Sequence, residues 1–256
     1  MKTKSHDLTW LLDAWAYDER KTTRRIKGQN GREILQVRLP LGVEQYEIDG
    51  RPDGKRPMNH ESWLHYYWRQ AKAFQGESKE LVLTKEDFSR LQEEGLLYYY
   101  RYLLFFQLQE YRLCARDTRR NMKLLDFVSR HFQKNQAALL EQYRPYILRM
   151  NCMARALYKA QEYGDLKGAL RLLRKGVQAV DGLEAIENNQ IFEFEKARSL
   201  KSLEDLISQL EAHLPVPVHV QLAKQMAEAI REENYERAAA LRDQIALLKK
   251  EKKAEK

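Results

Sequence analysis

The sequence predicts a mainly α-helical protein, a helical bundle that follows a small β-hairpin and precedes an antiparallel helical hairpin. Residues that break helices are scarce, with 11 Gly and 6 Pro in 256 residues, while Leu, Ala, Glu, Lys and Arg are abundant. From residue 60 onward, apolar side chains recur every three or four positions, which is the spacing of one helix face. Residues 34–48 instead alternate apolar and polar side chains, as expected of strands with one buried face.

The N-terminal part, residues 1–80, is expected to combine a short helix with the β-hairpin. Residues 7–18 place their leucines and one tryptophan on one side of a helix. Residues 21–31 are basic and polar, and we interpret them as a connection. The hairpin follows at 34–48, with a Pro-Leu-Gly turn in its middle, and residues 49–54 supply Gly and Pro for two further turns.

The middle part, residues 81–213, is predicted to be a series of long helices. Thr84 and Asp87 have the spacing of a capping box, so a long helix should begin there. This helix either breaks near residues 113–117 or continues to about residue 132. Pro145 marks a kink or the true start of a later helix. Further helices are predicted over residues 60–74, 137–163, 166–180 and 190–213.

One part of this region has the pattern of a known helical hairpin. Gly164, Asp165, Ala169 and Gly176 stand where a tetratricopeptide repeat has turn or small residues, although the aromatic landmarks of that repeat are missing. Residues 153–180 therefore resemble a single tetratricopeptide hairpin. One repeat cannot form a solenoid, so we expect this hairpin to belong to the helical bundle.

The C-terminal part is predicted to be a separate helical hairpin, residues 218–250, followed by a charged tail at 251–256. Residues 214–217 form the predicted linker, because two prolines two positions apart disfavour a helix and favour an extended strap. Two helices joined by a turn at 232–234 should follow. Their apolar stripes are Leu222, Met226 and Ile230 in the first helix, and Leu241, Ile245 and Leu248 in the second.

This segment resembles the UVR motif, the short helical hairpin of the bacterial excision-repair proteins UvrB and UvrC. The family usually has Phe where this chain has Tyr235, so the aromatic ring is kept. The resemblance implies an all-α module that binds other proteins. The matching residues are Leu222, Gln225, Met226, Ala229, Tyr235, Glu236, Ala238, Ala239, Arg242, Asp243, Ile245 and Leu248.

A helical pair this short cannot bury enough apolar surface to be stable alone. Its stripe must therefore rest on the main body, on a second copy or on another protein. The linker favours an interaction over simple packing into the bundle, so we expect a non-enzymatic adaptor that docks a partner protein. By resemblance, the partner is a DNA-repair factor, a protein-quality-control factor, another UVR-containing protein or a second copy. The predicted interaction residues are Leu222, Met226, Ile230, Tyr235, Glu236, Arg242, Asp243, Ile245 and Leu248.

A second candidate surface is a basic stripe, whose five cations fall on one helix face if the helix is continuous there. Such a stripe is able to follow phosphates, which makes a direct DNA-binding accessory of nucleotide excision repair the alternative function. The net charge of +8 permits an acidic partner without requiring one. A solvated outer face of an amphipathic helix explains the same pattern and is the more common case. The stripe consists of Arg112, Arg116, Arg119, Arg120 and Lys123.

Enzyme signatures are poor. His60, Glu61 and His65 have a spacing one residue longer than the zinc-binding HExxH motif, and no phosphate-binding glycine loop is found. Cys114 and Cys152 stand alone, which disfavours a zinc ribbon. We therefore expect no enzyme, no cofactor and no metal. A site among the two histidines and the glutamate stays as a remote alternative.

The remaining expectations concern the aromatic residues and the compartment. Trp10, Trp15, Trp63 and Trp68 are suited either to stacking bases or to forming a small core, and the core is the more common case. The most apolar segment, residues 96–108, is shorter than the roughly 20 residues of a membrane helix and contains a charge. The first twenty residues lack the apolar run of a signal peptide. We expect a cytoplasmic protein that does not enter a membrane.

Overall fold

The computed structural model describes residues 7–28, 31–73, 81–213, 218–231, 234, 237, 239–242 and 244. The chain divides into two compact units, Met1–Ser208 and Gln209–Lys256. The first unit is mainly helical and carries a small antiparallel sheet, and the second contains the C-terminal hairpin. This confirms the predicted fold class. The finer division at residues 80, 213 and 217 stays a prediction.

The sheet has three strands, β1 (Thr23–Lys27), β2 (Glu33–Leu39) and β3 (Gly42–Glu47), in the order β1-β2-β3. The predicted hairpin is β2 and β3, with Leu35 opposite Tyr46. The interpretation of residues 21–31 as a connection is wrong, because β1 pairs antiparallel with β2 over its whole length. Because β1 is rich in basic side chains, it lacks a clear alternation of apolar and polar residues, which is the sequence pattern of a strand.

Nine α-helices have defined bounds in the described part of the chain, and described residues of the hairpin beyond them, such as Leu241, are also helical. Helix α3 starts at the predicted capping box, in which the Thr84 side chain accepts from the Asp87 amide and Asp87 accepts in return. The break that follows lies at residues 108–110, earlier than the predicted 113–117, so α4 is continuous. Pro145 is in the first turn of α6 and marks its true start. The helices are α1 (Thr9–Ala14), α2 (Trp63–Ala73), α3 (Lys85–Gln107), α4 (Tyr111–His131), α5 (Lys134–Glu141), α6 (Arg144–Tyr163), α7 (Leu166–Asp181), α8 (Gln190–Ala212) and α9 (Val218–Arg231).

The bundle of the first unit is built on α4, which packs against α3 on one side and α6 on the other, while α6 packs in turn against α7. One core cluster joins the sheet to α3, α4 and α6 through residues such as Leu35, Tyr102, Phe105 and Met150. A second core cluster joins α2, α3, α4 and α5. The sheet and the helices that follow it therefore share one core.

Buried charges also fasten the sheet to the bundle. The guanidinium of Arg101 donates two hydrogen bonds to Asp117, at 2.7 and 3.0 Å, and a third to the carbonyl of Glu47 at 2.7 Å. Both side chains of the Arg101–Asp117 pair are 1% exposed. Each polar atom of this pair has a partner. The pair can therefore hold the sheet in one position against α3 and α4 without leaving an unpaired charge buried.

The aromatic residues of the N-terminal part are less buried than predicted. Trp10 is 66% exposed and Trp68 is 50% exposed, so the core interpretation is wrong for these two. Trp63 stacks on the buried ring of Tyr67, with ring centroids 5.7 Å apart. Arg24 lies over the ring of Trp15 at 3.9 Å. Within the described ranges, no helix combines the length and the apolar character that crossing a membrane requires.

Candidate functional site

The C-terminal hairpin is held together by a small apolar cluster. Leu241 of the second helical segment is buried and packs against Leu222 and Met226 of α9. These two side chains are half-buried, and Ile230, one turn further along the same stripe, is 49% exposed. The predicted stripe thus divides into a part that closes the hairpin and a part that faces outward.

The turn of the hairpin contains a helix cap that the sequence analysis missed. The side-chain oxygen of Asn234 accepts a hydrogen bond at 3.1 Å from the amide of Arg237, three residues later. This is the geometry of an N-cap, and asparagine is among the residues that favour this position. The signal was present in the sequence, as an Asn just before the second apolar stripe.

Other predicted interaction residues are only partly described. Arg242 is exposed, as are the neighbouring Ala239 and Ala240. The remaining residues predicted for the interaction lie outside the described part of the chain, and their role stays a prediction. They are Tyr235, Glu236, Asp243, Ile245 and Leu248.

The basic stripe of α4 lines a groove of about 850 Å³, which we call the basic groove. Helix α4 forms one wall, and α6 and α7 form the rest. Arg112, Arg119 and Lys123 are exposed, so the stripe is also the solvated face of an amphipathic helix, and its role in binding stays a prediction. None of the described residues that line the groove is acidic, and nine of them are cationic. These nine are Arg112, Arg116, Arg119, Arg120, Lys123, Arg155, Lys159, Arg171 and Lys175.

Three of the nine cations are held by carboxylates. Arg116 donates to Asp117 at 2.9 Å and to Asp49 at 2.7 Å. Arg120 donates to the buried carboxylate of Glu94. Lys159 lies 3.0 Å from Asp165. Because these three neutralise carboxylates that belong to the fold, their first role is structural.

The other six cations are exposed and form no ion pair with any described residue. They come from all three helices that line the groove, with three on α4, one on α6 and two on α7. We call them the free cations of the groove. They are Arg112, Arg119, Lys123, Arg155, Arg171 and Lys175.

Sequence reasoning found the α4 cations and missed those of the other two helices. Arg155 and Lys159 are four residues apart on α6, and Arg171 and Lys175 are four residues apart on α7. Each pair therefore shares a helix face. This spacing was visible in the sequence, but nothing in the sequence shows that both faces turn toward α4.

The geometry of His60, Glu61 and His65 gives little support to the remote alternative of an enzyme site among them. The rings of His60 and His65 meet edge to face with centroids 5.7 Å apart, while Glu61 is exposed. The described residues contain no group of three or more His, Cys, Asp or Glu side chains placed to hold a metal. Burial raises the pKa of the Cys114 thiol to about 12, and it raises the pKa of Cys152 as well. Both thiols are therefore protonated near neutral pH and are weak nucleophiles.

The fold defines a mainly helical protein that ends in a capped hairpin of two helices. Residues 218–251 of this chain match the family UVR, described as the UvrB/uvrC motif. The UVR motif predicted from the sequence is thus confirmed for this segment, and the rest of the chain lies outside the match. No curated protein and no solved structure matches the chain.

Proposed function

We propose that this protein is a non-enzymatic adaptor that docks a partner protein through its C-terminal UVR hairpin. The observation that supports the proposal is the family match over residues 218–251. By resemblance to the excision-repair proteins that carry this motif, the partner is a DNA-repair or quality-control factor, another UVR-containing protein or a second copy of this chain.

The geometry of the hairpin suits this role. Leu241 packs against Leu222 and Met226, so this part of the apolar stripe joins the two helical segments. Ile230 continues the stripe but stays 49% exposed. Burying the rest of such a side chain against a partner contributes about 1 kcal/mol or more. The docking contact is therefore expected to centre on Ile230, next to the cluster formed by Leu241, Leu222 and Met226.

The charged residues of the hairpin have a different proposed role from that of the apolar stripe. Arg242 and Asp243 are adjacent in the sequence, so their side chains leave the helix in different directions. In the proposed complex, these residues and Glu236 select the partner, because rim charges contribute more to specificity and association rate than to affinity. Tyr235, Ile245 and Leu248 add apolar contact area.

The test compares two substitutions in the full chain. Ile230→Asp places a charge in the proposed apolar contact, where a bare charge is costly to bury. Gln225→Asp introduces the same side chain at an exposed position of α9, about 140° around the helix from Ile230. Self-association is measured by sedimentation velocity, and capture of partner proteins from a cell extract is quantified for each variant.

If the hairpin docks a partner through its apolar stripe, Ile230→Asp abolishes the association and Gln225→Asp retains it. Association of the Ile230→Asp variant at the wild-type level would show that the stripe serves internal packing alone. Absence of any association by the wild-type chain would also count against an adaptor. Direct DNA binding, the alternative predicted from the sequence, concerns a different surface, the basic groove of the first unit.

A further inference from the structure

The basic groove concentrates positive charge in a way that a solvated helix face does not. The free cations lie on three helices that surround one concavity, and no described acidic residue lines it. Like charges that face each other across a concave, low-dielectric surface raise the local positive potential. Their mutual repulsion opposes folding, and a ligand with several negative charges relieves it.

The length of the groove fits an extended polyanion. Arg112 and Lys123 are eleven residues apart on α4, which corresponds to about 16 Å along the helix axis. Successive phosphates of one strand lie about 3.4 Å apart along the axis of a B-form helix, and a groove of this length is therefore able to contact several phosphates of one strand. A small anion would contact only the cations at one end of the groove.

The types of residue favour nucleic acid over an acidic protein segment. Four of the six free cations are arginines, whose planar guanidinium groups bind phosphate oxygens in pairs. The groove also contains two tyrosines, Tyr158 and Tyr163, whose rings meet edge to face with centroids 5.9 Å apart. Tyr163 is 66% exposed. An exposed ring beside a row of cations is the arrangement by which proteins stack the bases of single strands.

We propose that the basic groove binds the phosphodiester backbone of a single-stranded nucleic acid, with the ring of Tyr163 stacked on a base. The binding is independent of base sequence, since backbone contacts carry no sequence information. This inference goes beyond the adaptor function, because every residue that carries it belongs to the first unit and none belongs to the hairpin.

The experiment measures fluorescence anisotropy of the full chain with labelled strands of about 20 nucleotides, longer than the site of a typical single-strand binding fold. A duplex of the same length is the second probe, and each titration is repeated over a series of salt concentrations. If all six free cations neutralise a phosphate, the slope of log K against log salt is about −4 for the single strand.

The main variant combines Arg119→Glu, Arg155→Glu and Arg171→Glu, one exposed free cation from each helix. We expect at least about a tenfold loss of affinity and a salt slope that is shallower by about 2 or 3. The matched control combines Arg130→Glu, Lys134→Glu and Lys201→Glu, which are exposed, lie outside the groove and change the net charge equally. The control should bind within about twofold of wild type at moderate salt, where distant exposed charges are screened.

Tyr163→Ala tests the stacking separately, with an expected loss of about fivefold or more for the single strand and little change for the duplex. Equal losses in the groove variant and the charge-matched control would overturn the groove as the site. Tighter binding of the duplex, with no effect of Tyr163→Ala, would overturn the assignment to single strands. Equally tight binding of polyglutamate would overturn a nucleic acid ligand. Ile230→Asp should leave the binding unchanged, and a loss there would assign it to the hairpin.

Discussion

Glu94 is the residue on which several elements of the first unit converge. Its fully buried carboxylate accepts hydrogen bonds from the backbone amides of Trp63 at 2.7 Å and Leu64 at 3.0 Å, which lie at the start of α2. It also accepts a hydrogen bond from Arg120 of α4, and Arg51 lies 3.4 Å away. A carboxylate at a helix start satisfies amides that have no partner within the helix. One side chain of α3 thus fixes α2 and anchors a cation of the basic groove.

Replacing Glu94 with Gln tests this role. The amide keeps the shape but removes the charge, so Arg120 and Arg51 lose their buried partner. Breaking a buried ion pair on one side costs about 3 to 5 kcal/mol. We expect a loss of this size in the free energy of unfolding, measured by urea denaturation. Glu93→Gln, at the exposed neighbouring position, should change it by less than about 0.5 kcal/mol. Equal effects of the two substitutions would contradict the anchoring role.

The buried thiol of Cys114 is expected to lower the stability of the protein at alkaline pH. Burial is the main cause that raises the pKa of its thiol from the ordinary 9.0 to about 12. Above pH 9 the unfolded chain loses this proton while the folded chain keeps it, so stability falls as the pH rises. Between pH 8 and pH 10 this thiol alone lowers the free energy of unfolding by about 1.4 kcal/mol.

The measurement for Cys114 is urea denaturation of wild type and of Cys114→Ala at both pH values. Other groups, such as the thiol of Cys152 and the tyrosines, titrate in both proteins and cancel in the comparison. The substituted protein should therefore lose about 1.4 kcal/mol less than wild type over this pH range. If both proteins lose the same stability, the thiol is ionised in the folded state.

At the scale of elements, the walls of the basic groove depend on how closely α6 and α7 approach. Gly164 ends α6 in the left-handed conformation, with φ +61°, and the side chain of Asp165 then caps α7 by accepting from the amide of Gly168. Further along α7, a Cβ atom at Gly176 would lie 2.9 Å from both Cβ and Sγ of Cys152 on α6. Glycine is required here because the side chain of Cys152 leaves no room for a Cβ atom at this position of α7.

Two mid-helix glycines give a matched prediction about this approach. Alanine favours a helix over glycine by about 1 kcal/mol. At Gly95 of α3, a new Cβ would meet Leu124 at an ordinary 3.7 Å, so Gly95→Ala should raise the free energy of unfolding by up to about 1 kcal/mol. Gly176→Ala should instead lower it by about 1 to 3 kcal/mol, since the helices must move apart. Urea denaturation measures both, and a stabilising Gly176→Ala would show that the spacing of α6 and α7 adapts freely.

The elements also show which features the sequence is able to predict. Helix α3 was recognisable because its capping box and its apolar spacing are local signals. Strand β1 was not, since its residues TRRIK alternate too briefly and its partner strand lies across a turn. The hairpin cap at Asn234 was local but was overlooked. Local signals thus predicted most helices, whereas the pairing of β1 with β2 was evident only from the structure.

The difference between local sequence signals and tertiary packing also explains which parts of the candidate sites were predicted from the sequence. The UVR segment was recognised because composition and spacing coincide within one short stretch. The basic groove was half predicted, because Arg119 and its neighbours on α4 follow a helical period. Arg155 and Arg171 belong to the groove only through the packing of α6 against α4 and α7, which is a property of the tertiary fold.

At the scale of the whole molecule, the two proposed binding surfaces belong to different units. The two core clusters described for the first unit consist of buried residues between Leu35 and Ala154. The basic groove lies in the same unit, while the cluster of Leu241 with Leu222 and Met226 lies in the second. An adaptor with this arrangement would hold a nucleic acid with one unit and a partner protein with the other.

Ending the chain after His213 tests this separation. The cut keeps α8 whole and removes the hairpin together with Pro215 and Pro217. Because the described core clusters of the first unit lose no member, we expect one cooperative thermal transition within about 4 °C of that of the full chain, equivalent to roughly 1 kcal/mol or less. Binding of the single strand to the basic groove should be retained within about twofold, since phosphate contacts set that affinity, and binding of the partner protein should be lost.

A truncated chain that is insoluble, or that unfolds at a much lower temperature, would show that the hairpin contributes to the core of the first unit. A truncated chain that still binds the partner would place the docking surface outside the UVR motif.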